Sequence, residues 1–298
     1  MPQDLKGIIK DGLLMSGLFL LLLASLSISF IPMITFWLLP LPFLLLSVKR
    51  PSAALIISLI PLGVAFVFFP AISALLALFA WFMGSIMGYC YRHSATTGAD
   101  VVLSGVASGA VGSWGFLYVG ESFHLFDWVK AIWQTESLRM EEILQESGAG
   151  AQALEALSNG TMVPPVFFNL IGLMALITFY TARSWLSRQG FQRKTLPAFH
   201  EWRLPKVFFY FYLLTLVALY FFPSVVGLHG GISVLTILHE LFLIQGFGFI
   251  HFLLHRKGKS GGWLILLVPV SIITPISLLI QFLGMIDAAT LLRQKLSK

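Results

Sequence analysis

One carboxylate in this chain stands where a carboxylate is expensive. Glu240 lies about nine residues into the apolar run 231–254, which at 1.5 Å per helical residue places it roughly 14 Å along the run, near a bilayer midplane. A charged carboxylate at that depth is costly, so it is protonated, paired or functional. Two readings stand side by side: a proton-carrying or solute-binding group, and a neutral Glu that hydrogen-bonds between helices. His239 adjoins Glu240 but points about 100° away around the helix axis. His251, eleven residues on, returns to the Glu240 face roughly 16 Å along the axis, so the two could line one polar track without touching. Gln245 shares the run, and Asn169 and Gln281 lie inside others. Glu240, His239, His251, Gln245 and Asn169 are thus the candidate substrate-binding or proton-carrying residues. As ordinary links between helices, such polar groups contribute about 1 kcal/mol each.

Other chemistries lack their residues. His239-Glu240 is followed by Leu241-Phe242-Leu243, so the HExxH metalloprotease spacing is absent. His251 and His255 are four apart and could share a ligand, but no third metal ligand accompanies them, and no metal is expected. Phosphate-loop, Ser-His-Asp and paired-carboxylate patterns are missing. Glycine-rich 104–115 lies in an apolar run rather than after a strand, so it is no nucleotide loop. Cys90 is the single cysteine, which excludes an intrachain disulfide. The expectation is a protein without catalytic residues or cofactor, and not an enzyme.

The elements that position these residues follow from composition. Of 298 residues, 57% are hydrophobic and 11% charged, and the mean hydropathy is +0.88. A soluble domain carries about 25% charged residues, so a soluble enzyme, a disordered chain and a disulfide scaffold are all excluded. The expected fold is all-α: a polytopic transmembrane helix bundle. Apolar runs fall at 12–31, 33–48, 52–69, 71–91, 99–120, 163–185, 206–227, 231–254 and 262–286, against the roughly 17–25 residues a span needs. The first run continues into Pro32-Met33-Ile34 without a polar cleavage region, so it reads as a retained helix rather than a signal peptide. The second contains Leu39-Pro40-Leu41-Pro42 and is expected to be broken. Residues 32–42 are then either a cavity wall or a kinked packing helix.

The net charge of +6 sits in short loops between spans, the pattern of anchoring to anionic lipid rather than of nucleic-acid binding. Lys6, Lys10, Lys49, Arg50, Arg92, the 183–206 cluster, and Arg256, Lys257 and Lys259 alternate with turns that carry no base. This predicts a multi-pass protein of a bacterial cytoplasmic (inner) membrane with a cytoplasmic N-terminus. The tail bases Arg293, Lys295 and Lys298 break the alternation if 262–286 spans. A re-entrant 262–286, interrupted by Pro269 and Pro275, would keep them cytoplasmic.

Three further features matter. Segment 121–160 is acidic, with apolar residues at helical spacing, and is expected to be an external amphipathic segment, either a lid or a packed cap. Small residues stand at Ala80, Gly84 and Gly88 and at Ser104, Ser108, Gly112, Gly105 and Gly109, which suits close helix contact within the bundle, or contact with a partner. The basic loop combines Trp185, Phe191, Phe199 and Trp202 with six bases. Its core, His200, Glu201, Trp202 and Arg203, is a candidate partner-docking surface, with Glu201 and Arg203 expected to fix it to the bundle. The expected division is 1–185, the loop 186–205, and 206–298.

The stretch Phe199 to Lys206, together with Gln245-Gly246, Ile250-His251-Phe252, Leu283-Gly284-Met285-Ile286-Asp287 and Leu38-Leu39-Pro40-Leu41-Pro42, resembles the YybS-like bacterial membrane proteins, a family without an assigned activity. Their first six spans are similar to the six-helix S components of energy-coupling-factor vitamin transporters. The resemblance implies an outward-facing cavity for a small solute in an S-component-like N-terminal part, plus about three C-terminal spans. It also implies a possible partner in the membrane. Two departures stand against coupling to the usual transport module. Gly12, Ser16 and Leu20 occupy the place of a small-residue face on the first helix, and the C-terminal spans are extra. The functional expectations are solute binding or transport, a scaffold or regulatory partner without a solute, and a proton-linked carrier or intramembrane enzyme built on Glu240. The expected partners are the lipid bilayer, another membrane protein or a second copy, and an unknown solute.

Overall fold

The computed structural model describes residues 5–28, 30–125, 127, 163–222, 228–260, 262–264, 267, 274–290 and 293. Among them are helices and turns but no strand. The helices are α1 (Leu5–Ser25), α2 (Pro32–Thr35), α3 (Leu41–Lys49), α4 (Ala54–Phe68), α5 (Ala71–Arg92), α6 (Gly98–Ser122), α7 (Val163–Arg188), α8 (Lys206–Phe221), α9 (Leu228–Arg256) and α10 (Thr274–Ala289). Among the described residues, six stretches are long and apolar enough to cross a membrane: Leu5–Ser25, Pro32–Lys49, Ala71–Arg92, Gly98–Ser122, Phe167–Arg188 and Gly231–Arg256. Ala54–Phe68, Lys206–Phe221 and Ile276–Ala289 are apolar but shorter. The amphipathic segment expected at 121–160 lies almost wholly outside the described residues.

The chain forms two compact units. One holds α1 to α6, and α7 from Phe167 with the chain to Leu196; the other includes the chain from Pro197 through α8, α9 and α10. In the first unit, α3 is the centre. Leu41 to Leu46 and Val48 are all buried, as a helix apolar on every face must be when it packs on every side. Its closeness to α5 comes from the small-residue face. A Cβ at Gly84 would stand 2.2 Å from the Pro40 carbonyl oxygen, and one at Gly88 2.6 Å from that of Leu44. Gly105 and Gly109 of α6 likewise meet Met87, Ala175 and Ile171 side chains. The small residues on these faces are therefore consumed by packing inside the unit.

The second span is broken as its prolines predict. α2 gives way to a 3₁₀ turn at Phe36–Leu38, and α3 restarts after Pro40. Thr178 of α7 donates its hydroxyl to the Trp37 carbonyl at 3.1 Å, so a neighbouring helix satisfies backbone exposed at the break. α6 opens on a capping box: the Asp100 amide donates to the Thr97 hydroxyl oxygen, and the Thr97 amide to the Asp100 carboxylate. At the same end of the unit, Lys194 is 5% exposed. It donates to the His93 and Thr96 carbonyls and to the Thr96 hydroxyl, tying the chain after α7 to the turn after α5. Burial pulls this ammonium below the ordinary lysine value. Asp11 of α1 is paired with Arg50 at 2.7 Å and Lys49 at 3.9 Å.

In the second unit α8 packs on α9 and α9 on α10, around Leu238, Phe242 and Ala288. The approach of α9 to α10 is at backbone contact. A Cβ at Gly246 would stand 2.0 Å from the Ile280 carbonyl oxygen, and one at Gly284 2.0 Å from that of Phe242. Pro275 sits in the first turn of α10, where a missing N–H is tolerated, so it opens a helix there rather than interrupting one.

Candidate functional site

The polar residues of the second unit gather where the short turn Phe199–Glu201 lies against α9. Their centre is Asp287 near the end of α10, which is fully buried at 0% exposure. Arg293, 9% exposed, grips it: Nε donates to Oδ1 at 3.0 Å and to Oδ2 at 2.9 Å, and Nη2 donates to Oδ2 at 2.7 Å. Gln245 of α9 donates its amide to the same carboxylate. Its own carbonyl oxygen accepts the Leu204 backbone N–H at 2.9 Å. The remaining Arg293 nitrogen, Nη1, donates to the His200 carbonyl, while the guanidinium lies over Phe252 at 5.3 Å and Phe249 at 5.9 Å. Arg203 donates to the Thr290 carbonyl just past α10, which suits a cation at a helix C-terminus. A buried charge survives when it is paired and its remaining lone pairs are used, and here every oxygen of Asp287 is engaged.

This network clasps the chain 198–204 onto α9 and α10. Gly248 is the contact point: a Cβ there would come within 3.3 Å of the Phe199 carbonyl oxygen. Within the clasped segment, Trp202 donates its indole N–H to the Pro197 carbonyl at 3.1 Å and packs edge-on to Phe199. Glu201 accepts the Ala198 N–H at 3.2 Å. Arg203 thus reaches the bundle, while the Glu201 carboxylate closes its own turn. Glu201 remains exposed and Trp202 partly so.

The residues singled out from sequence divide accordingly. Gln245, His251, His200, Glu201, Trp202 and Arg203 come together in the clasp. His239 faces α8 instead, with the Tyr212 hydroxyl 3.1 Å from its Nε2. Glu240 is partly buried on α9, and Asn169 is exposed in the first unit. Two residues that carry the arrangement, Asp287 and Arg293, were not among the candidates. The available signals were an Asp at the end of an apolar run and one Arg six residues beyond. Among the described residues, no group of three or more His, Cys, Asp or Glu side chains could hold a metal ion.

A cavity in the first unit, of about 50 Å³, is lined by Phe36 of the broken span and by residues of α5, α6 and α7, among them Phe79, Phe116, Ile171 and Met174. Ser113 is its one hydroxyl-bearing lining residue, and that hydroxyl donates to the Ala110 carbonyl of its own helix.

An all-helical bundle with several membrane-length apolar helices defines a polytopic membrane protein. The chain belongs to a family described as a predicted membrane protein (DUF2232), whose model matches residues 18–288. No curated protein and no solved structure matches it.

Proposed function

We propose that the protein is a non-enzymatic membrane protein that acts by presenting the clasped segment 198–204 to another membrane protein, with this segment and the N-terminus on the cytoplasmic side of a bacterial inner membrane. The observation that carries this reading is the buried Asp287–Arg293–Gln245 network. A loop meant only to connect two helices needs no fully buried ion pair to hold it. A docking surface gains from one, because a segment ordered in advance pays less entropy on binding. Trp202 and Arg203 belong to the residue types that dominate protein interfaces. The alternation of basic turns supports the orientation.

Solute binding by the first unit, which the S-component likeness suggests, has less support. Its broken span is packed by α7, and the cavity beside Phe36 holds about 50 Å³, whereas pockets for small ligands run from about 300 to 1,000 Å³. His239, the titratable residue next to Glu240 in sequence, has the Tyr212 hydroxyl 3.1 Å from its Nε2.

Photo-crosslinking in native membranes tests the docking reading. A photoreactive residue at Glu201 or Trp202 is expected to give a discrete protein adduct. The same residue at Tyr220, on an exposed face of α8, is expected to give lipid adducts alone. Lipid adducts alone from all three positions would overturn the reading.

A further inference from the structure

The clasp holds a second cluster that docking does not require. The His200 ring stacks on His255 of α9, with centroids 4.2 Å apart and planes at 18°. His200 also stands edge-on to His251 at 5.4 Å, and His251 lies 5.9 Å from the Phe199 ring. His251 Nδ1 is buried without a hydrogen-bond partner.

We propose that this three-histidine cluster is an acid-sensitive latch, which holds the segment 198–204 on α9 while the rings are neutral and releases it when they take up protons. The proposal adds regulation to the docking surface proposed above, but release is a property of this chain alone and is measured without a partner.

The argument rests on which charges face the rings. A neutral imidazole can leave one nitrogen as a bare acceptor, whereas a protonated one has two N–H donors. Protonating His251 would bury a donor with no acceptor beside it. Protonating both His200 and His255 would set two positive charges in a stack only 4.2 Å deep. Among the described residues, the carboxylates around the rings are already engaged. From the α10 side the charged groups are Asp287 and Arg293; the Asp287 carboxylate is taken up by Arg293 and Gln245, and the Arg293 guanidinium bonded to the His200 carbonyl is itself positive. From the segment itself, Glu201 is bonded to the Ala198 amide and Arg203 to the Thr290 carbonyl. From α9, Arg256 follows His255 and adds another positive charge, while Glu240 lies eleven residues back along the helix. The released segment therefore binds more protons than the docked one. By linkage, acid favours release, and raising the pH restores the dock. Histidine changes charge between about pH 5 and 8, which sets the window.

A nitroxide label at Ala198, which is exposed, reads the release in purified full-length protein with Cys90→Ala as background. The expected result is an immobilised spectrum at pH 8 that loses more than about half of its immobile component by pH 5, reversibly, within the histidine window. The double variant His200→Phe with His255→Phe keeps two stacked rings that cannot charge, and should stay immobile throughout. Because that variant alters the clasp itself, His255→Gln provides a second check: His255 is exposed, and the change should move the transition to lower pH. A label at Ser94, in the turn after α5, should not change. An immobile spectrum at pH 5 in the parent protein would overturn the latch, as would an unshifted transition in both variants, or equal loosening at Ser94.

Discussion

Asp287 and Arg293 show how much one pair can decide. A carboxylate with no exposed surface is tolerable only because two nitrogens of one guanidinium and one amide are aimed at it. Removing one partner strands the other, which costs about 3–5 kcal/mol for a buried ion pair. Asp287→Ala is therefore expected to lower thermal stability in detergent by about that amount, with loss concentrated in the second unit. Asp287→Ala combined with Arg293→Met should recover most of it, since both charges are then gone; a double variant as unstable as the single one would show that packing, not charge, dominates. Glu240→Gln gives a contrast. Glu240 is only partly buried, and under the docking account the change should be nearly silent, within about 1 kcal/mol, in expression and melting. Loss of activity in a folded Glu240→Gln protein would instead restore the proton-carrying reading. The sequence drew attention to Glu240 because it lies well inside an apolar run. Asp287 hid at the end of a run, where a charge is cheap, and Arg293 hid among tail bases that read as orientation signals. Only the fold brings Gln245 and Asp287, 42 residues apart, onto one carboxylate.

At the level of elements, glycine decides how closely helices can pack. Gly246 and Gly284 face carbonyl oxygens across the α9–α10 contact, and Gly84 and Gly88 do so between α5 and α3. Gly246→Val should separate α9 from α10 and destabilise by at least the roughly 1–3 kcal/mol of ordinary overpacking, whereas Gly115→Ala on α6, with nothing within 4 Å of its Cβ, should be neutral or gain up to about 1 kcal/mol of helix propensity. Melting temperatures of the two variants check this, and equal effects would contradict the contact. The α5 face was legible as a four-residue rhythm of small side chains, and the break at Pro40 was legible from proline. The partner of each face was not, because spacing names a surface and not what lies on it. Pro275 was legible as a breaker, but its place in the first turn of α10 depends on where that helix starts.

For the whole molecule, apolar runs and basic turns outlined nearly every described helix, since length and hydropathy are local properties. The division into units at Leu196 and Pro197 falls inside the basic loop 186–205, and no local feature marks the point within it. Sidedness follows from charge. Lys194 ties the chain after α7 to the turn after α5, so Arg92, Arg188 and Arg193 share one end of the first unit. That end should be cytoplasmic. In a Cys90→Ala background, cysteines at Ser94 and Gln192 should be labelled only after the inner face is opened, and one at Phe123 from outside. Labelling of Phe123 and Ser94 from the same face would contradict this topology.

The claim on which the rest depends is that the segment 198–204 is held, not loose, and amide hydrogen exchange at pH 7.5 measures that directly. The Leu204 N–H, bonded to Gln245, and its neighbours through Glu201 should exchange slowly in the intact protein, and at least about tenfold faster in Asp287→Ala, where the clasp opens locally. Exchange at the rate of an unstructured chain in the intact protein, or slow exchange that Asp287→Ala leaves unchanged, would contradict the account.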